Sequence, residues 1–185
     1  MKNTDWETGV IGGIEKRKIK IVKYNNDWHS KFLEHKNKIQ NCLGDIVIGI
    51  EHIGSTSVPN LSAKPIIDIL LIVNDSANED KYLKKMEDAE YELRVREPDF
   101  HEHRMFRTSE KDVHIHVLSK GSTEIDEYIL FRNRLRSNDT DRIRYEKVKL
   151  YLAKSNWNDM NEYADAKTKI IKEIIESTKI ENGSA

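Results

Sequence analysis

The residues Glu51-His52-Ile53-Gly54-Ser55-Thr56-Ser57-Val58-Pro59-Asn60-Leu61-Ser62-Ala63-Lys64-Pro65-Ile66-Ile67-Asp68-Ile69-Leu70-Leu71-Ile72-Val73 decide how the chain is read. Val47 to Ile53 is apolar and β-branched, which predicts a strand. It stops at Gly54-Ser55-Thr56-Ser57, where glycine relieves backbone crowding and three hydroxyls offer hydrogen bonds. Two readings of this turn stand side by side. It is either a Ser/Thr helix cap or an anion site in which the N–H groups of a starting helical turn join the hydroxyls around a phosphate. Pro65 biases Lys64 toward extended geometry, and Ile66 to Val73 is an apolar run of strand length with one charged residue inside it, Asp68.

A carboxylate within such a strand requires a partner, because desolvation otherwise raises its pKa until it is neutral. Backbone donors of the turn can satisfy Asp68, or a cation can stand beside it. A phosphate-gripping turn followed closely by a strand carboxylate suits metal-assisted nucleotidyl transfer, in which metal ions clamp the attacking and leaving oxygens.

Downstream, Phe100-His101-Glu102-His103-Arg104-Met105-Phe106-Arg107-Thr108 leads through a polar turn, Ser109 to Asp112, into Val113 to Leu118, a predicted hairpin. Residues two apart on a strand face the same side, so His114 and His116 form a pair of imidazoles. Beside the Asp68 strand they would make a two-histidine, one-carboxylate set that suits Zn²⁺, Mn²⁺ or Fe²⁺ better than Mg²⁺. The plainer alternative is a hydrogen bond from one histidine to Asp68, with the other packed or solvated. A general-base role is the third option. His101, His103 and Arg104 are further cleft candidates. Glu51 and His52 alternate at the end of their strand, so only one of them can face the site.

These residues resemble the GrpB family, also designated UPF0157, a divergent branch of the nucleotidyltransferase superfamily. The resemblance rests on Glu51 to Pro59 and Ala63 to Ile69. It extends to Ile21-Val22-Lys23-Tyr24 with Trp28 and Phe32, to His114-Ile115-His116-Val117, to Leu130-Phe131-Arg132, and to Tyr163 and Lys167, covering residues 19 to 176. It implies an α/β (α+β) domain: a small mixed sheet with flanking helices, a C-terminal helical bundle and a cleft between them. It also implies a nucleotide or phosphorylated small molecule as partner and a divalent metal, Mg²⁺, Mn²⁺ or Zn²⁺. Gly54, Ser55, Thr56 and Ser57 would then hold phosphate, and Asp68, His114 and His116 would act as metal ligands or catalytic groups. Lys64, Arg132, Arg136 and the late Lys167, with Tyr163 one helical turn before it, would neutralise phosphate charge.

One departure stands out. The superfamily pattern puts a second carboxylate two residues after the first, and here that residue is Leu70. A third is expected on a neighbouring strand, where His114 and His116 stand instead. Three functions are therefore compatible with the sequence: a nucleotidyltransferase, a non-catalytic nucleotide or anion binder on a degenerate scaffold, and a metal-dependent enzyme acting on a small acid or amide.

The chain of 185 residues is long enough for one domain with a sizeable core. We divide it into an arm (1–17) that docks through Trp6, a sheet part (18–120), a helical part (121–178) and a frayed tail (179–185). Lys and Arg total 31 against 32 Asp and Glu, so no global basic field points to nucleic acid or a membrane surface. One cysteine, Cys42, rules out an internal disulfide and, with no signal-like start, places the protein in the cytoplasm.

Helical periods mark the rest. Asn26 or Asp27 caps a helix burying Trp28, Phe32, Leu33 and Ile39 and ending at Gly44. Thr123 opens a helix with Ile129, Leu130 and Leu135, and Asp139 or Thr140 one that buries Ile143, Val148, Tyr151 and Leu152. A helix from Asn158 carries Met160, Tyr163, Ile170, Ile174 and Ile175 on one stripe.

Overall fold

The computed structural model describes residues 4–5, 9–13, 19–155, 157 and 160–183. Its centre is β4 (Ile67–Val73), in which side chains alternate between two faces. Ile67, Ile69, Leu71 and Val73 enter the main core, where Phe32 and Ile39 of α1 (Asp27–Leu43) meet them. Asp68, Leu70 and Ile72 point the other way. Leu70, with no exposed surface, packs there against Ile53 and Leu118 beneath Ile125 and Ile129 of α3 (Thr123–Ser137). Burial of such a leucine is worth about 1.5–3 kcal/mol. The two-faced burial explains why the strand reads as a continuous apolar run.

The sheet has seven strands in the order β1-β2-β5-β6-β7-β4-β3. They are β1 (Thr4–Asp5), β2 (Val10–Ile11), β3 (Gly49–Ile53), β4, β5 (Glu92–Glu97), β6 (His103–Arg107) and β7 (Val113–Ser119). All pairings are antiparallel except β4 with β7. That parallel register sets Asp68 beside His114 and Leu70 beside His116, while β3 sets Ile53 opposite Asp68. The expected hairpin forms as β6–β7. Within the segment read as an arm, Val10 and Ile11 are buried, Val10 pairs with Val95, and Arg94 donates to the Ile11 and Gly13 carbonyls. Trp6 lies outside the described residues.

α2 (Leu83–Asp88) covers the main core through Met86, together with Tyr82 just before it. α3, α4 (Asp139–Leu152), α5 (Met160–Ala166) and α6 (Thr168–Glu181) form the helical part, around a core of Val58, Leu61, Leu135, Tyr145, Ile170 and Ile174.

Several helical expectations need correction. Leu33, Ile143 and Tyr151 are exposed. α4 instead buries Asp141, Tyr145 and Lys149, spaced one turn apart, because Asp141 meets Arg134 and Lys149 donates to the Ser62 carbonyl at 2.5 Å. The last helix is two, parted at Lys167, and Asn158 lies outside the described residues. Lys179 and Glu181 belong to α6, paired with Glu127 and Arg134, so the helix runs beyond the point where the tail was placed. In the segment Ile21 to Tyr24, Val22 forms one bridge, with Ala63. Among the described residues no helix is long and apolar enough to cross a membrane.

Candidate metal centre

Asp68, His114 and His116 converge on the sheet face away from α1. Asp68 Oδ1 lies 3.7 Å from His114 Nδ1 and 3.7 Å from His116 Nε2. One ligand atom from each residue lies within 4.8 Å of the others, the one such set among the described residues. A tetrahedral ion with bonds of about 2.1 Å holds its donors about 3.4 Å apart, so the three donors fit one ion closely. Two imidazoles and one carboxylate suit a transition ion, and they leave coordination positions open. A site for two magnesium ions needs more oxygen ligands than this cluster offers, since Leu70 is core.

The electrostatics agree with the geometry. Burial pushes the Asp68 carboxyl up, but its histidine neighbours and the charge of Lys64 together hold it below its ordinary value. Gly54 makes the approach possible. Its φ is 69°, and an added Cβ would come within 2.9 Å of Asp68 Cβ and Cγ and closer still to Oδ2. Only glycine lets the turn pass this near the carboxylate.

Of the turn hydroxyls, that of Ser55 meets the buried phenol of Tyr145. Thr56 and Ser57 do not serve as phosphate donors: Thr56 Oγ1 donates to the Ile66 carbonyl at 3.1 Å and Ser57 Oγ to the Gly54 carbonyl at 2.6 Å. Ser55–Ser57 is a single 3-10 turn whose Ser57 N–H bonds Gly54 O, so no long helix adds its dipole here.

Arg132 and Arg136 are engaged as well. Arg132 Nη1 donates to Glu51 Oε2 at 2.7 Å and to the His52 carbonyl at 3.0 Å, while Arg136 grips the Ser57 carbonyl at 2.8 and 3.0 Å. They clamp the strand end and turn to α3.

Strand parity settles the remaining candidates. Glu51 shares the face of Ile53 and Asp68, whereas His52 turns to α1, stacks on Phe32 at 4.7 Å and is pushed down to about 4 by burial. Arg104 also lies on the far face, bonded to Glu79 and Glu102. His101 is an exposed loop residue with φ 54°. His103 does join the site: its Nε2 lies 3.0 Å from His116 Nδ1 and its Nδ1 2.6 Å from Glu97 Oε2, and burial lowers its pKa.

Opposite the cluster stands a wall of lysines and tyrosines from β4's approach, α4 and α5. Lys64 and Lys167 place their ammonium groups 5.0 and 4.7 Å from the Tyr163 ring centre. The Tyr163 hydroxyl is buried with no hydrogen-bond partner among the described residues. Burial lowers the pKa of Lys167, opposed by the charge of Asp68. Lys149, which sequence reasoning missed, lies 4.9 Å from the Tyr145 ring centre and is pushed down to about 7 by burial and by Lys167 and Lys64. Tyr145, Tyr128 and Glu97 were missed too. The signal for Lys149 was its place four residues after Tyr145 and eight after Asp141, on one helical stripe. A concavity of about 640 Å³ between Leu43, Asn74 and Lys85 includes none of these groups.

The sheet order, the turn and the strand carboxylate together define a nucleotidyltransferase-like fold. In agreement, 72% of the chain superposes on 43% of the Cid1 poly(U) polymerase bound to MgGTP, with a TM-score of 0.50 and 11% identity, a likeness of fold. The chain belongs to the GrpB family, whose model, described as GrpB protein, matches residues 18–177. It is 48% identical over 162 residues to a UPF0157 protein of Streptomyces coelicolor, covering 88% of this chain and 85% of that one. A UPF0157 protein of Halalkalibacterium halodurans is 46% identical over 157 residues, 85% of this chain and 80% of the relative. The crystal structure of GrpB from Enterococcus faecalis superposes with a TM-score of 0.74 at 32% identity, over 85% of this chain and 98% of that one.

Proposed function

We propose that the protein binds a nucleotide or another phosphate-bearing small molecule together with one divalent ion, and that it transfers a nucleotidyl group. The observation that carries this reading is the cleft itself. A carboxylate and two imidazoles suited to one ion face Lys64 and Lys167, whose charges interact with that carboxylate.

In this reading Asp68, His114 and His116 hold the ion, which would supply charge stabilisation at the phosphoryl oxygens. Lys64 and Lys167 bind the remaining phosphate charge, and the Tyr163 ring keeps their long side chains aligned. Gly54 and Ser55 admit a phosphate oxygen next to Asp68. Arg132 and Arg136 hold the turn in place. The lone cysteine, Cys42, is unpaired, in keeping with a reducing, cytoplasmic setting.

A second reading is favoured by Leu70. With that position committed to the core beneath α3, the site lacks the second strand carboxylate and would bind ligand without turnover. Calorimetric titration with ATP, GTP, CTP and UTP, each with Mg²⁺, Mn²⁺ or Zn²⁺, tests binding, and pyrophosphate release tests turnover. Metal-dependent binding that is lost in Asp68→Ala supports the site. Binding without pyrophosphate release selects the second reading, and nucleotide binding that Asp68→Ala leaves intact refutes both.

A further inference from the structure

A chain of hydrogen bonds runs from the cluster into the neighbouring strands. Register creates it: Glu97 pairs with His103 between β5 and β6, and Met105 pairs with His116 between β6 and β7. His103 thus bridges Glu97, at 2.6 Å, and His116, at 3.0 Å, with the two ring planes 16° apart.

The direction of each bond follows from what each group can do. A carboxylate only accepts, so His103 carries its proton on Nδ1 and donates to Glu97. In a neutral imidazole the other nitrogen is then an acceptor, so the proton between the rings belongs to His116 Nδ1. That leaves His116 Nε2 unprotonated, and Nε2 is the atom that faces Asp68. The opposite arrangement would set a lone pair of His103 against the carboxylate at 2.6 Å.

We propose that Glu97 and His103 are positioning residues that fix His116 as an Nε2 ligand, and so tune the centre to a transition ion such as Zn²⁺ over Mg²⁺. This rests on the metal centre of the proposed function. Zn²⁺ takes neutral imidazole nitrogen, and a carboxylate behind a ligating histidine fixes its tautomer and raises its basicity. Here the carboxylate acts through a second imidazole. Magnesium gains nothing from the same arrangement, because it prefers oxygen donors.

The test uses the ¹⁵N-labelled full chain. Long-range ¹H–¹⁵N correlations read the tautomers of His103 and His116 without any mutation, and both rings are expected to carry the proton on Nδ1. Zn²⁺ affinity is measured by competition with a chromophoric chelator in the presence of excess Mg²⁺. Glu97→Gln, at a half-exposed position, replaces an acceptor by an amide that can also donate; it is expected to shift His116 toward the Nε2-protonated form and to weaken Zn²⁺ binding 10–100-fold, roughly the range for such partners. A wild-type His116 protonated on Nε2 overturns the proposal, as does unchanged Zn²⁺ affinity in Glu97→Gln. If Asp68→Asn abolishes Zn²⁺ binding while Glu97→Gln does not weaken it, the positioning pair fails and the centre stands. No Zn²⁺ uptake by the wild-type protein overturns both.

Discussion

Replacement of Gly54 by alanine probes the contact on which the site depends. The residue has φ 69° and ψ −177°, a region that is essentially glycine's alone. Forcing alanine there costs about 1–3 kcal/mol. The new methyl carbon would also lie within 2.9 Å of Asp68 Cβ and Cγ, on a residue that the β3–β4 ladder holds in register. Overpacking of this kind costs about 1–3 kcal/mol more. The chain has two ways out. It can keep Asp68 in place and lose about 2–6 kcal/mol of stability, or it can swing the carboxylate aside and limit the loss while disturbing the three-donor cluster. Urea denaturation measures the first outcome and Zn²⁺ titration the second, both on the same Gly54→Ala preparation. A destabilisation below about 1 kcal/mol together with unchanged Zn²⁺ affinity would refute the reasoning, because it would mean that turn and carboxylate are not in contact.

Two further predictions concern pH. His52 is pushed down to about 4 by burial, from an ordinary 6.5, so between those values the unfolded chain binds a proton that the folded chain does not. Stability therefore falls by about 3 kcal/mol as pH drops through this window, and urea midpoints of His52→Gln should show that slope removed. Lys149, pushed down to about 7 from 10.5, gives the same sign at higher pH: stability rises between those values as the folded state sheds a poorly solvated proton. Lys149→Met keeps the packed stem, gives up the bond to Ser62, and is expected to gain about 1–3 kcal/mol at pH 6. Denaturation curves at pH 6 and pH 10 check both the gain and its disappearance.

The sheet was legible because its strands state their faces. Alternation in His114 to Leu118 set the two histidines on one face, the lone Asp68 within an apolar run marked a carboxylate in need of a partner, and parallel pairing joined them. His103 was named as a candidate, but its role depends on register across two strands, which a one-dimensional pattern does not contain. The same parity removed Arg104, next in sequence, to the opposite face. α4 was misread for a different reason. Hydropathy favours Ile143 and Tyr151 as buried, yet the interior holds Asp141 and Lys149, whose burial depends on Arg134 and on the Ser62 carbonyl. A charged side chain enters a core when its partner is waiting there, and that partner is invisible until the fold is known. Arg132 and Arg136 show the converse: one helical face, correctly read, whose targets in the structure are backbone carbonyls and the Glu51 carboxylate.

Those arginines belong to a larger pattern. Arg132 bonds the carbonyl of His52, Arg136 that of Ser57 and Lys149 that of Ser62, while Glu146 accepts from the Ser62 amide at 2.7 Å. Each of these ties ends on a main-chain atom, which is chemically the same whatever side chain the residue bears. The helical half thus grips the path of residues 52–62 and not their identities. Over evolutionary time the burden of change falls unequally: the gripped segment, Gly54 apart, can exchange side chains wherever its course is kept, whereas each of the four helical residues holds that course only through its own reach and polarity. A substitution among those four would be felt at the turn beside Asp68, some distance from where it was made.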